Sequence, residues 1–397
     1  MSDRVDLWWD RLGWDLTEVI LCKLPLRSMI RASAVCKAWR AVLLQLKQQH
    51  KQPWLFVFLQ GHNNRLLGVG RTAFAYDPRD DAESWVSFNL PPDCFAGSAG
   101  IAFSLDSSRR LSLAPLLLVG DSSWTTSINT KTPPLASSLC NCNPVVGLVG
   151  GAVVVVVAGG ARLVGGLVDM NEEPLTTEVL EFDDDCCWRR EQCAAALPSL
   201  SLSEPRSSAL VAGGRLFFVC DTSSCTVSAF DLSRRAWTPP RRLRPEPGLV
   251  AAFLASGRGG HRLVLTGVVE EDHRTFRVWD VDPSTMTTTR IGDMPPEILA
   301  SMMPFGSLRC VGEDGLLYVI ADDRHRAYPA CACELVAGDG QYDMPTSCTW
   351  KKLPPLPQPL ISRFHKINAF SSSVLHNLPN IWIFIQRSED ADNLLEV

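Results

Sequence analysis

The chain has 397 residues, of which 27 are glycine, 27 are proline and only 20% are charged. This composition predicts a turn-rich protein, and 46% hydrophobic residues supply enough apolar mass for a packed core, which excludes wholesale disorder. The length is typical of two or three domains or of one large all-β domain. A formal net charge of −5 argues against direct nucleic-acid binding driven by charge alone.

The N-terminal segment has a helical pattern. Residues 15–52 contain one proline and no glycine. Asp15 and Glu18 have the spacing of a capping box, which predicts a helix that begins at Asp15. A second short helix is predicted over residues 27–32, and Ser33 is predicted to cap a third. The apolar residues expected on the faces of the first and third helices are Leu16, Val19, Ile20, Leu24, Val35, Trp39, Val42 and Leu46.

These helices carry more apolar surface than they can bury among themselves. A partner is therefore expected to cover part of it. The composition changes at Pro53, after which glycine and proline are frequent. We expect a helical domain over residues 10–52, a β domain over residues 53–385 and a polar tail over residues 386–397.

The β region contains a recurring unit of a short strand, an acidic turn, an aromatic residue and a proline step. Clear copies cover residues 75–92, 181–198 and 229–240, and weaker copies cover residues 122–135, 278–296 and 346–357. The units align on Trp85, Thr132, Trp188, Trp237, Thr288 and Trp350. Their steps are 47, 56, 49, 51 and 62 residues. A period of about 50 residues is typical of kelch-type blades. The pattern therefore predicts a mainly β, kelch-type propeller of about six blades, with seven as an alternative.

Other segments specify how such a propeller is built. Tight turns are predicted before three inner strands. The segments at residues 213–219 and 259–269 begin with glycine pairs, and the segment at residues 313–322 contains an Asp-Gly pair. Residues 368–386 are expected to close the ring. The uncharged run over residues 145–161 contains five glycines, which favours buried strands over the alternative of a membrane span.

Cofactor and metal sites are not expected. The 14 cysteines lack the paired spacing of a zinc site and are interpreted as buried thiols. The first 13 residues include three aspartates and no long apolar run, so no secretory signal is expected there and a nuclear or cytoplasmic location is predicted. Only 4 tyrosines and 7 histidines are present and no GxSxG motif occurs, which argues against an enzyme.

The N-terminal helices resemble the F-box. The resemblance rests on residues 24–28, LPLRS, followed by residues 34–40, AVCKAWR. It implies binding to a Skp adaptor and, through it, to a cullin scaffold. The residues implied as adaptor-binding are Leu16, Ile20, Leu24, Pro25, Leu26, Ile30, Val35, Cys36 and Trp39. F-boxes usually begin with a Leu-Pro pair that is missing here. Two alternatives stay open, namely that the loss weakens adaptor docking or that Trp14 and Leu16 fill the same groove. The other interpretation is that these helices only cap the β domain.

The β domain resembles that of plant F-box/kelch-repeat proteins, in particular the Unusual Floral Organs type. Three segments are shared. They are residues 74–78, FAYDP, with the following Trp85; residues 176–179, TTEV, with the following Trp188; and residues 305–320, FGSLRCVGEDGLLYVI. The resemblance implies a non-catalytic substrate receptor of a Skp–cullin–F-box ubiquitin ligase. Its alternative is a transcriptional co-regulator that binds a transcription factor without degrading it. Neither role involves direct nucleic-acid contact or a membrane.

Two charged segments are candidates for binding the target protein. Arginine and tryptophan are enriched at interface hot spots. The candidate residues are Arg234, Arg235, Arg241, Arg242, Arg244, Arg324 and His325. Trp237, which lies among the first five, is expected in a blade core. The alternative for both segments is a solvated loop between blades.

Overall fold

The fold is known from a computed structural model. It describes residues 13–24, 32, 35, 36, 38, 39, 42, 52–61, 72–78, 85–89, 94–105, 108, 110–116, 132–135, 145–149, 153–160, 163–164, 167–168, 173–182, 188–193, 206–211, 215–302, 308–321, 330–337, 345–357 and 365–373. The predictions made for Pro25, Leu26, Ile30, Ser33, Leu46, Arg324, His325 and the tail over residues 386–397 lie outside these ranges.

The first helix, α1, spans Trp14–Cys22. Gly13 is its N-cap residue and the cap has no side-chain hydrogen bond, so the capping box predicted at Asp15 does not form. Asp15 instead lies in the first turn, where its charge interacts favourably with the helix dipole. Thr17 and Leu21 are the buried residues of α1, one turn apart.

The third predicted helix does not include Val35 and Cys36, where the chain turns. The Val35 N–H donates to the carbonyl of Ala32 at 3.1 Å, which closes the turn. The Cys36 thiol then accepts a hydrogen bond from the N–H of Trp39 at 3.4 Å, which is the pattern of an N-cap. The predicted apolar stripe is therefore divided, because Val35 lies outside the helix and is exposed while Val42 is buried.

Strands account for the rest of the described fold, apart from a seven-residue helix, α2, at Pro296–Met302 and a 3₁₀ turn at Arg258–Gly260. The strands of the first half are β1 Trp54–Gly61, β2 Thr72–Tyr76, β3 Trp85–Asn89, β4 Cys94–Ser98, β5 Ile101–Leu105, β6 Leu111–Pro115, β7 Val145–Val149, β8 Val153–Gly160, β9 Leu163–Val164, β10 Leu167–Val168, β11 Glu173–Phe182 and β12 Trp188–Cys193. Those of the second half are β13 Arg206–Val211, β14 Leu216–Asp221, β15 Thr226–Asp231, β16 Ala236–Trp237, β17 Arg241–Arg242, β18 Leu249–Ser256, β19 Leu263–Glu270, β20 Arg274–Val281, β21 Thr288–Asp293, β22 Leu308–Glu313, β23 Leu316–Ala321, β24 Ala330–Ala337, β25 Pro345–Lys352 and β26 His365–Ser372.

The strands form six antiparallel blades, which confirms the predicted β-propeller. Blade 1 has the order β26-β1-β2-β3, and blades 2 to 6 follow along the chain with innermost strands β4, β7, β13, β18 and β22. Each innermost strand packs against the next, and β22 packs against β26, so the ring is closed. The segments at residues 213–219, 259–269 and 313–322 contain β14, β19 and β23, each the second strand of its blade.

Closure joins the two ends of the propeller in one blade. Strand β26 pairs with β1 over eight residues, from Trp54↔Ser372 to Gly61↔His365. The uncharged run at residues 145–161 forms the hairpin of β7 and β8, with Val145 opposite Val157, so the strand interpretation is confirmed. Among the described residues no helix is both long and apolar enough to cross a bilayer.

Side chains on the inner strands link each blade to the next. In four junctions a serine hydroxyl accepts a backbone N–H of the following blade. These bonds are Gly100 N to Ser372 Oγ (2.7 Å), Leu148 N to Ser98 Oγ (3.2 Å), Leu254 N to Ser207 Oγ (2.9 Å) and Asp314 N to Ser256 Oγ (3.2 Å). At the junction between blades 6 and 1 a carboxylate takes this place, since Glu313 Oε2 accepts the N–H of Ser373 at 3.1 Å.

Glu313 makes the closing junction sensitive to pH. Burial raises the pKa of its carboxyl from the usual 4.5 to about 7, against the opposing effect of the Ser373 N–H, and the charge of Asp314 raises it further. The folded state therefore binds more protons than the unfolded state between about pH 4.5 and 7, so the free energy of unfolding falls as pH rises through this window.

A Glu313→Gln variant keeps the hydrogen-bond acceptor without the charge. We expect its free energy of unfolding to change less between pH 4.5 and pH 7 than that of the wild type, by up to roughly 3 kcal/mol. Urea unfolding at several pH values measures the difference, and Asp272→Asn, at an exposed carboxylate, is the control. Parallel curves for wild type and Glu313→Gln would contradict the assignment.

The propeller has two faces, defined here by blade 4. The distal face carries the turn at residues 222–225 and the link at residues 243–248, and the proximal face carries the turn at residues 232–235. Every innermost strand runs from the distal to the proximal face, so Trp54, opposite Ser372, lies at the proximal face. The helices preceding Trp54 therefore join the ring from the proximal side.

Candidate functional sites

The N-terminal helices expose an unusual amount of apolar surface. Of the seven large apolar side chains exposed in the described structure, five lie between residues 14 and 35. They are Trp14 (44% exposed), Leu16 (51%), Val19 (51%), Ile20 (39%) and Val35 (65%). Single exposed apolar residues are common on protein surfaces, but a contiguous group marks an interaction site. Leu16, Val19 and Ile20 lie on one side of α1, and we name these three residues the α1 patch.

The α1 patch exists because α1 is apolar on two sides. Thr17 and Leu21 face inward, and Leu21 is fully buried. Leu21, Ala32 and Val42 belong to a core cluster that also contains Trp54 and Leu116 of the propeller. One side of α1 thus anchors the helix to the proximal face, and its other side stays open to solvent.

The described residues implied as adaptor-binding fall into an exposed group and a partly buried group. Leu16, Ile20 and Val35 are exposed and available to a partner. Leu24 and Trp39 are partly buried and pack against the core cluster. Cys36 is exposed, but its thiol caps the backbone of the following helix.

The implied set omitted Trp14 and Val19. The helical period could have placed Val19 on the open side, because residues 16, 19 and 20 share one side of a helix. Trp14 instead precedes Thr17 and Leu21 by three and seven residues, so it shares their side and is exposed at the first turn of α1. Sequence alone does not say which of two apolar sides faces the core. The contact with the propeller decides it, and no local signal in α1 encodes that contact.

The five described arginines of the second candidate site lie at opposite ends of blade 4. Arg234 and Arg235 follow β15 in the proximal turn. Arg241 and Arg242 pair with Val227 and Thr226 at the other end of β15, on the distal side. Since Asp231 and Thr226 are five residues apart, about 17 Å of strand separates the two groups. The predicted site is therefore not one continuous surface.

The proximal arginines already have protein partners. Arg234 lies 3.8 Å from Asp231. Arg235 pairs with Glu181 and, at 3.4 Å, with Glu191 of blade 3. Arg235 is thus a link between blades, and Trp237 next to it donates its indole N–H to the Thr177 hydroxyl at 2.8 Å. Both contacts favour the loop interpretation for this half of the site.

The distal arginines are different. Arg241, Arg242 and Arg244 are exposed. Arg244 donates to the carbonyl of Pro247 at 2.5 Å, which fixes its guanidinium over the link to blade 5. These three residues are named the distal arginines below.

A cavity of about 410 Å³ lies in the centre of the ring. Residues of all six innermost strands line it, among them Phe95, Val145, Ser207, Val250 and Leu308. Most of these are near the distal starts of their strands, so the cavity opens on the distal face. Its volume is within the range of ligand-binding pockets, about 300–1,000 Å³.

Buried thiols occur mainly in the blades. Of nine cysteines whose side chains are described, six are buried. Burial raises the pKa of Cys94 and of Cys310 to about 12, which makes both thiols unreactive at neutral pH. In the described part of the chain no group of three or more histidine, cysteine or acidic side chains is placed to hold a metal ion.

Comparison with known proteins identifies the N-terminal helices. The family model named F-box domain matches residues 9–48. This chain therefore carries an F-box domain. The match includes all of α1 and both segments of the sequence resemblance, so the α1 patch is a surface of the F-box.

Plant F-box proteins are the relatives found by sequence. Protein ABERRANT PANICLE ORGANIZATION 1 of Oryza sativa subsp. japonica is 28% identical over 330 residues, which cover 76% of this chain and 72% of the relative. An F-box protein of Arabidopsis thaliana is 46% identical over 47 residues, which cover 12% of this chain and 13% of the relative. The first similarity extends well beyond the F-box into the propeller.

Solved structures offer only distant likeness. TolB from Acinetobacter baumannii superposes with a TM-score of 0.43 at 11% identity, over 84% of this chain and 72% of that one. A likeness at this level supports no argument about function. The assignment of six blades rests on the strand pairing of this chain.

Proposed function

We propose that this chain is the substrate receptor of a Skp–cullin–F-box ubiquitin ligase. The F-box binds the Skp-type adaptor, which connects it to a cullin scaffold, and the propeller binds a target protein. The receptor itself makes and breaks no bond. It raises the effective concentration of the target near the conjugating enzyme.

The observation that carries the proposal is the α1 patch. Full burial of an exposed valine, leucine or isoleucine side chain contributes roughly 1.5–3 kcal/mol, and the three residues of the patch, which are about half exposed, supply part of that each. A stable interface buries about 800 Å² on each partner. The patch provides the apolar centre of such an interface within a domain of the family that binds this adaptor.

The two faces of the propeller suggest how the receptor is arranged. The F-box occupies the proximal side, and the cavity opens on the distal side. We place target binding on the distal face, where the F-box and its adaptor leave the surface free. We also propose the finer assignments to the kelch type of propeller and to the Unusual Floral Organs type of receptor, with a domain division at residues 10–52, 53–385 and 386–397.

The direct test is complex formation between the purified chain and a purified Skp-type adaptor. We expect a 1:1 complex by size-exclusion chromatography with light scattering and a measurable heat of binding. Addition of the cullin scaffold, its RING protein and a conjugating enzyme is then expected to give ubiquitin transfer to the receptor itself, since Lys351 and Lys352 are exposed. No adaptor complex would overturn the proposal, and a complex without transfer would favour the co-regulator.

A further inference from the structure

Ion pairing separates the distal arginines from the other arginines of the blades. Nine arginines pair with carboxylates, namely Arg190, Arg215, Arg234, Arg235, Arg258, Arg262, Arg274, Arg277 and Arg290. Among the described residues no carboxylate lies within ion-pair distance of Arg241, Arg242 or Arg244. Three neighbouring positive charges are thus left without a carboxylate partner in a chain whose net charge is −5.

The backbone brings these arginines together. Arg241 and Arg242 form β17, which pairs with the distal end of β15 at the outer edge of blade 4. The N–H of Leu243 donates to the carbonyl of Cys225 at 2.8 Å, which holds the start of the link against the distal turn. Arg244 follows immediately and is fixed by Pro247.

The thiol of Cys225 reports how close two of the guanidinium groups lie. Burial raises the pKa of this thiol, and the charges of Arg244 and Arg242 act against that rise. The charges of both guanidinium groups thus oppose the effects of burial and of Asp221 on this thiol. Because side chains alternate along extended chain, Arg242 and Arg244 start from the same side of the segment, and Arg241 starts from the other side.

Nearby carboxylates do not neutralise this charge. Glu246, the nearest acidic residue along the link, pairs with Arg277 of blade 5. In the turn that follows β19, Glu270 pairs with Arg274 and Glu271 lies 3.6 Å from Arg277. Glu246, Glu270 and Glu271 are thus engaged by other arginines. Asp221, at the start of the distal turn, is fully buried and accepts hydrogen bonds from Ser223 and Ser224, so the exposed distal arginines remain available to an external anion.

We propose that the distal arginines bind an acidic segment of the target protein. Arginine holds carboxylates and phosphates through paired, charge-assisted hydrogen bonds, and exposed guanidinium groups without carboxylate partners fit that role. Residues 241 to 244 span about 10 Å of extended chain, which matches three or four consecutive acidic residues of an extended segment. The inference rests on the proposed function, because it names the kind of target that the receptor takes.

Charge also provides selectivity. A surface that is negative overall repels an acidic partner everywhere except at the local positive site, which steers the partner to blade 4. The distal turn leads from this site to the cavity, since Thr222 lines the cavity and Cys225 lies under the arginines. A segment bound to the arginines is therefore held beside the cavity mouth, within about 7 Å along the turn.

The test uses fluorescent ten-residue peptides and the full-length chain. One peptide contains four consecutive glutamates, the second has glutamines in their place and the third has two phosphoserines. We expect the wild type to bind the glutamate or the phosphoserine peptide at least about tenfold more tightly than the glutamine peptide. Tighter binding of one of the two acidic peptides identifies carboxylate or phosphate as the natural group. Equal binding of all three peptides would overturn the inference.

The variant is Arg241→Gln with Arg242→Gln and Arg244→Gln, which is expected to lose this preference. The matched control is Arg215→Gln with Arg258→Gln and Arg290→Gln, since these arginines are 58%, 50% and 50% exposed but have carboxylate partners. It removes the same net charge and is expected to bind within about twofold of the wild type. Equal losses in the two variants would show a nonspecific charge effect and would refute the site.

Adaptor binding separates this inference from the proposed function. Both triple variants leave the α1 patch intact and are expected to bind the Skp-type adaptor like the wild type. Loss of peptide preference with intact adaptor binding identifies the distal site. A wild type that binds the adaptor but no acidic peptide contradicts only the inference.

Discussion

A Leu16→Asp/Ile20→Asp variant is expected to lose at least about a hundredfold in adaptor affinity, about 2.8 kcal/mol. Both side chains are exposed in the free chain, at 51% and 39%, so the substitution removes little internal packing. In the complex, however, each carboxylate would be transferred from water into an apolar interface, which costs several kcal/mol without a partner. Isothermal titration with the adaptor measures the loss, and thermal unfolding should remain close to that of the wild type.

The control is Val336→Asp, at a valine on β24 that is 39% exposed and lies in blade 6. It introduces one such charge at a similarly exposed apolar residue outside the F-box, and adaptor binding should be unchanged. A Leu21→Asp variant should instead unfold the F-box, because Leu21 is fully buried. Full adaptor affinity in Leu16→Asp/Ile20→Asp would show that the α1 patch is not the docking surface.

Leu16 and Ile20 are chosen because they are exposed, whereas two described residues of the segments at residues 24–28 and 34–40 are partly buried. Leu24 and Trp39 pack against the cluster that joins the F-box to the propeller. Their replacement by alanine would weaken binding and folding together, and a pull-down could not separate the two effects. The motif residues identify the domain, whereas the residues of the α1 patch are those a partner can touch.

The blade count could be predicted from sequence because an anchor residue recurs on the outermost strand of most blades. Trp85, Trp188, Trp237, Thr288 and Trp350 all lie on the outermost strand of their blades. Trp237 contacts Phe230 of the preceding strand at a ring distance of 5.3 Å, and Trp85 contacts Tyr76 at 5.5 Å. An aromatic pair of this kind uses residues close in sequence, so it leaves a visible periodic signal.

The weakest copy of the repeating unit, at Thr132, also lies at the outer edge of its blade. The Thr132 hydroxyl donates to the carbonyl of Leu111 at 2.7 Å, at the outer edge of blade 2. Blade 2 has only three described strands, and Pro134 forms a single bridge with Arg110 where the other blades have a fourth strand. A hydroxyl hydrogen bond thus occupies the place of the aromatic pair.

The arginine site could not be predicted correctly, because closeness in sequence does not mean closeness in space within a hairpin. Arg234 and Arg241 are seven residues apart, but the chain runs the length of blade 4 between them. Pro239 and Pro240 interrupt the outer strand and divide it into β16 and β17. Which arginines share a face depends on the strand direction and on that break.

Ion pairing was likewise invisible in the sequence. Arg235 is held by Glu181 and Glu191, which are more than forty residues earlier in the chain and lie in another blade. Contacts between blades decide which charges remain free. The serines at the blade junctions could not be predicted for the same reason. Ser98, Ser207 and Ser256 each accept a hydrogen bond from a backbone N–H of the next blade.

The second large effect is expected at the closing strand. Phe370 of β26 stacks on Phe56 of β1 at a ring distance of 4.9 Å and meets Phe58 edge-on at 5.8 Å. Its ring also covers Gly97 of blade 2, where a side chain would collide with it. A Phe370→Ala variant therefore loses packing within blade 1 and between blades 1 and 2, and we expect a loss of about 3–5 kcal/mol in the free energy of unfolding.

The matched control is Phe253→Ala, because Phe253 also lies on an innermost strand and is 7% exposed like Phe370. Its blade is built from one continuous stretch of chain, whereas blade 1 depends on the pairing of β26 with β1. In Phe370→Ala we expect hydrogen exchange to rise first along β1 and β26, since the ring opens where its two ends meet. In Phe253→Ala the rise should be confined to blade 5 and its neighbours. If β26 stays protected in Phe370→Ala, or if the loss is below about 1 kcal/mol, then the closing strand does not hold the ring together as the pairing implies.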